Sequence, residues 1–87
     1  MSVYFSISDP SGKFLSVGDR LDASVQELKE MSEKTAGIFT LSFTKDHCFW
    51  SVILEGSNGR VTITDPNLYK KAQEFSAMVE GWAQGRG

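Results

Sequence analysis

Three stretches of this 87-residue chain place an apolar side chain at every second position. They are Val3, Phe5 and Ile7 in "VYFSI", Phe39, Leu41 and Phe43 in "GIFTLSFT", and Trp50, Val52 and Leu54 in "CFWSVILE". Successive side chains on a strand point to opposite faces, so each stretch reads as a strand with one apolar face. A slip of one residue would turn every such side chain to the wrong side. Parity therefore constrains how these segments pair.

The connections follow from turn chemistry. In "SDPSGK", Pro10-Ser11 suits the centre of a type I turn, and Gly12 can take the left-handed conformation that follows. This closes a hairpin with Asp9 opposite Lys13, pairing Ile7 with Leu15 and Phe5 with Val17. Between the third and fourth strands, only an even-length loop keeps Phe39, Leu41 and Phe43 beside Trp50, Val52 and Leu54. Lys45-Asp46, or a four-residue loop that includes His47, satisfies this. In "EGSNGRVTIT", a two-residue loop at Ser57-Asn58 sets Glu55 opposite Arg60, Leu54 opposite Val61 and Val52 opposite Ile63. If exposed, the Glu55–Arg60 pair contributes only about 0–1 kcal/mol.

Two segments read as helices. Ser24 and Glu27 fit a capping box that opens a helix over roughly 25–36, with Gly37 just past its end. Its apolar stripe is thin: Val25, Leu28, and Met31 or Ser32. Asp19 and Asp22 nearby read as favourable charges at a helix start. Asp65 followed by Pro66 is a strong start signal for a second helix. Leu68, Ala72, Phe75, Val79 and Trp82 form its apolar face. The order is ββαβββα. Short hairpins make the five-stranded sheet mostly antiparallel with both helices on one face, an α+β two-layer sandwich. The length allows one domain, residues 1–87, with 84–87 a frayed tail.

The expected core face collects Val3, Phe5, Ile7, Leu15, Val17, Phe39, Leu41, Phe43, Trp50, Val52, Leu54, Val61 and Ile63. The other face should be solvated through Ser6, Ser8, Thr40, Ser42, Thr44, Ser51, Thr62 and Thr64. That second face also carries Tyr4, Phe14, Ile38, Phe49 and Ile53, near Glu55 and Arg60. A monomer rarely exposes such an apolar cluster without a use, and interface centres favour aromatic residues and Arg. These seven residues are the candidate partner-binding set.

Chemistry finds little footing. The only histidine, His47, adjoins the only cysteine, Cys48. Thiolate activation needs the two side chains within reach of one another and a third group to orient the imidazole. Adjacent strand positions diverge, and the flanking Phe49 and Trp50 suggest burial, so Cys48 reads as a small core thiol beside a turn histidine. No metal-ligand spacing, phosphate loop or nucleophile elbow is present. The expectation is therefore no enzyme, no catalytic residue, no metal and no cofactor.

Net charge is −2, and the nine Lys and Arg residues are scattered, which disfavours nucleic acid. One cysteine excludes an internal disulfide, and no long apolar run marks a leader or a membrane span. A cytoplasmic protein of bacterial or phage origin is the expectation. The leading functional class is a small non-catalytic inhibitor, immunity-type or accessory protein. It would dock a sheet face or edge on another protein or on a second copy of itself. The alternative is a ligand- or single-stranded nucleic-acid-binding module that stacks bases on Tyr4, Phe14 and Phe49. An enzyme built on Asp46, His47 and Cys48 is the weakest of the three.

Overall fold

A computed structural model describes residues 3–45 and 51–81. Its elements are β1 (Val3–Ser8), β2 (Phe14–Gly18), α1 (Leu21–Lys34), β3 (Phe39–Lys45), β4 (Ser51–Ser57), β5 (Arg60–Ile63) and α2 (Pro66–Gly81). The strands form one antiparallel sheet in the order β2-β1-β3-β4-β5. The fold is therefore α+β, in the order ββαβββα. The chain leaves β2 through α1 and returns on the far side of β1, so β1, β3 and β4 become the inner strands.

The first turn forms as its residues dictate. Gly12 N–H donates to Asp9 O, Asp9 N–H donates to Lys13 O, and Gly12 has φ 93°. The strands beyond it do not keep simple alternation. Ser8 opposes Phe14, but Ile7 opposes Ser16 and Phe5 opposes Gly18, leaving Leu15 as an extra residue in a β-bulge. The expected pairs Ile7–Leu15 and Phe5–Val17 are thus displaced by one residue, and Val17 pairs with Ser6.

A second bulge lies in β4. Leu41 opposes Leu54, but Ser42 opposes Val52 and Phe43 opposes Ser51. Two β4 residues then face one interval of β3, and the local kink re-aims a side chain. Ile53 turns into the core beside Leu54, and Val52 turns out. This corrects the expected assignment of both residues.

The hairpin between β4 and β5 also differs from expectation. Ser57 opposes Arg60, and the turn is Asn58-Gly59, not Ser57-Asn58. Asn58 has φ 55° and Gly59 has φ 77°, the double left-handed geometry that the Asn-Gly pair favours in two-residue hairpins. The shift is two residues along the partner strand, so the faces are preserved. Leu54 meets Ile63, Gly56 meets Val61, and Glu55 meets Thr62 instead of Arg60.

The core lies between the sheet and the helices. Phe5, Ile7, Leu21, Leu28, Phe39, Leu41, Phe43, Ile53, Leu54 and Ala72 are buried there. Phe43 stacks at a tilt against both Phe5 and Phe75, with centroids 5.4 and 6.2 Å away. Leu15, Val52 and Ile63, all expected inside, are exposed. Ile63 ends the edge strand β5, where only one neighbouring strand can cover it. At Gly56 of β4 helix α1 lies close against the backbone: a Cβ there would lie 3.0 Å from Leu28 Cγ.

Helix α1 begins at Leu21, four residues before the expected start. Ser24 is not its cap; it is buried inside the helix and donates back to Arg20 O at 2.7 Å. Glu27 does not close a capping box either. It accepts from Ser16 Oγ on β2 at 2.8 Å. The first turn instead uses a tertiary contact, Leu21 N–H donating to Ser76 Oγ on α2 at 3.2 Å. Asp22 supplies the expected first-turn negative charge. Helix α2 starts as expected, with Leu68 N–H donating to Asp65 Oδ1 at 3.0 Å. Leu68, Ala72 and Phe75 face the core. The side chain of Val79, and Trp82, lie outside the described residues.

Candidate functional site

The sheet face away from the helices is built on the three inner strands, β1, β3 and β4, and on their edge neighbours. Tyr4, Ser6 and Ser8 of β1 oppose Thr44, Ser42 and Thr40 of β3. Val52 adds to the same face opposite Ser42, and Phe14 adds to it opposite Ser8. Thr40 opposes Glu55, which opposes Thr62. A row of side chains therefore crosses all five strands: Phe14, Ser8, Thr40, Glu55, Thr62.

The middle of this face is not solvated as its composition suggests. Ser6, Ser8, Ser42 and Thr44 are all buried, which corrects their assignment to solvent. The hydroxyls of Ser6 and Thr44 are sealed and find no hydrogen-bond partner among the described residues. A buried hydroxyl of this kind costs about 1–3 kcal/mol when unpaired.

Around this hydroxyl floor stand apolar side chains. Tyr4 is 38% exposed, Phe14 56% and Val52 40%. Tyr4 and Phe14 mark opposite ends of β1, roughly 13 Å apart at a strand's rise per residue. Ile38, Glu55, Ser57, Asn58, Arg60 and Thr62 line a separate groove of about 280 Å³ at the β4–β5 end of the sheet.

The seven candidate residues thus divide. Tyr4 and Phe14 belong to the apolar rim, and Ile38, Glu55 and Arg60 share the groove. Ile53 leaves the set, because the β4 bulge buries it completely in the core. Val52 takes its place on the outer face, and no local sequence signal announces that exchange. Phe49 lies outside the described residues, as do Asp46, His47 and Cys48.

Leu15, the bulged residue of β2, helps line a different groove of about 460 Å³ with Pro10, Met31, Lys34 and Phe39. A third concavity of about 430 Å³ runs between the helices, bounded by Leu21, Val25, Tyr69 and Gln73 among others.

The described titratable groups on the outer sheet face are Tyr4, Glu55 and Arg60. Among the described residues, no three His, Cys, Asp or Glu side chains gather where a metal ion could be held. Among them too, no helix is long and apolar enough to cross a membrane. Asp9, in the first turn, is held below the usual carboxylate range. The chief cause is the Ser11 hydroxyl donating to Oδ1 at 2.7 Å, helped by the N–H groups of Lys13 and Ser11, each at 2.9 Å. These bonds tighten the turn.

The class these features define is a two-layer α+β domain with one helix-covered sheet face and one face of hydroxyls rimmed by apolar side chains. Comparison with protein-family models, with curated proteins and with solved structures finds no match for the chain.

Proposed function

We propose that this protein is a small non-catalytic binding module, an inhibitor, immunity-type or accessory protein. Its partner is another protein, held against the sheet face opposite the helices. One observation carries this reading: Tyr4, Phe14 and Val52 stand exposed around a buried central strip of hydroxyl residues on one sheet face. Apolar anchors spaced over a largely uncharged surface suit the centre of a protein interface. A strand-built platform also holds them with little loss of side-chain freedom on binding.

The face carries one described cation, Arg60, on a chain of net charge −2. That supports a protein partner over a phosphate-bearing one, because phosphate binding draws on several cations at once. A single cysteine suits a reducing cytoplasm as the place of action.

The test uses Phe14→Asp and Tyr4→Asp on the full chain. Melting should stay cooperative while capture of the partner, or self-association by light scattering, is lost. Charge substitutions that leave capture and association as in wild type would sink the reading. Collapse of the fold in both variants would show that these residues serve the core.

A further inference from the structure

We infer that Asn58-Gly59 is a site of spontaneous deamidation, and that the folded chain holds the reaction in check through the Ser32 hydroxyl. Asn58-Gly59 is the only Asn-Gly pair in the sequence. Asn58 is exposed at the tip of the β4–β5 hairpin. Gly59 presents no side chain to shield its backbone nitrogen.

The reaction needs that nitrogen. The Gly59 nitrogen attacks Asn58 Cγ, forming an N–C bond. The Cγ–Nδ2 bond breaks, and Nδ2 leaves as ammonia carrying the proton that the Gly59 nitrogen gives up. Water then opens the five-membered imide at either carbonyl, giving aspartate or isoaspartate. Nothing is oxidised or reduced, and water is the one co-reactant.

The fold occupies the proton in question. Gly59 N–H donates to Ser32 Oγ on α1 at 2.8 Å. That hydroxyl spends its own proton on Lys29 O at 2.9 Å, so its lone pairs face Gly59. Ser32 is buried, which keeps water from exchanging into the pair. The turn is also pressed against the helix: a Cβ on Gly59 would lie 2.8 Å from Glu33 Cγ. Attack on Asn58 Cγ requires the amide to leave this clamp.

The product would matter to the surface around it. Either carboxylate adds a negative charge to a groove that already holds Glu55, and near Glu33 across the turn. Isoaspartate also lengthens the backbone inside a two-residue loop. The pairing of Ser57 with Arg60 depends on that loop's length.

The full chain is incubated in mildly alkaline buffer, with and without guanidinium chloride, and the peptide containing residue 58 is followed by mass spectrometry and isoaspartate detection. Conversion should be slow when folded and fast when unfolded, with Asn67 unchanged as an internal reference. Ser32→Ala should raise the folded-state rate roughly fivefold, the factor that one ordinary net hydrogen bond is worth. Equal rates for folded and unfolded wild type would overturn the inference. So would an unchanged rate in a Ser32→Ala protein that still melts cooperatively. Should that variant fail to fold, Gly59 amide exchange in wild type decides. Protection supports the clamp, and exchange at the rate of a free peptide overturns it.

Discussion

The β4 bulge makes opposite claims about two adjacent residues, Val52 and Ile53. Simple alternation from Phe39, Leu41 and Phe43 would bury Val52 and expose Ile53. The structure has Ile53 at 0% exposure and Val52 at 40%. Ile53→Ala removes three carbons from a sealed site, and such truncations cost about 2–5 kcal/mol. An 87-residue domain at roughly 0.05–0.15 kcal/mol per residue holds only about 4–13 kcal/mol in total. Val52→Ala removes two carbons from an exposed position, where the loss of strand propensity and neighbour contact is at most about 1 kcal/mol. At about 4–8 °C per kcal/mol for a domain of this size, Ile53→Ala should lower Tm by at least about 8 °C. Val52→Ala should lower it by no more than about 8 °C, and by less than Ile53→Ala. Thermal and urea melts followed by circular dichroism measure both. Equal losses, or a larger loss for Val52→Ala, would refute the bulge and restore the uninterrupted ladder.

Three further outcomes follow from single contacts. Asp65→Ala removes the oxygen that accepts Leu68 N–H, and should cost about 0.5–2 kcal/mol by urea melts with an unchanged m-value. Asp9→Asn concerns pH. The folded pKa of Asp9 lies below its unfolded value, so its contribution is complete above the unfolded range and is lost as pH falls through the folded value. The stability difference between wild type and Asp9→Asn should therefore be constant above about pH 5 and shrink as pH falls from there through the lowered folded value; a difference that does not depend on pH would count against the turn's carboxylate bonds. Gly56→Ala should destabilise by about 1–3 kcal/mol, because the new methyl crowds Leu28, which is itself fully buried. Cavity-tolerant packing at that point would show instead as a neutral or stabilising substitution.

Local signals determined most of the architecture. Pro10, Ser11 and Gly12 closed the first hairpin through backbone bonds inside five residues. Asp65 and Pro66 started α2 with a single cap bond. Alternation at Phe39, Leu41 and Phe43 set the buried face of β3. Each of these rests on interactions within a few residues of chain, so the sequence alone contains them. The Asn58-Gly59 turn was equally local: its conformational preference, read directly, gives the register that Ser57-Asn58 misses.

What tertiary structure alone decided involves partners distant in sequence. Helix α1 begins four residues early because Ser76, 55 residues away, accepts the Leu21 N–H. Glu27 spends its carboxylate on Ser16 of β2, not on its own helix start. The two bulges set Leu15 beside Ser16 and Ile53 beside Leu54, and no turn or propensity in those stretches encodes an extra residue. A strand's alternation states which residues can share a face. Which of two neighbouring apolar residues is taken inside depends on the space left by the opposing helices. Val52 therefore came to the outer face and Ile53 to the core through packing, not through pattern.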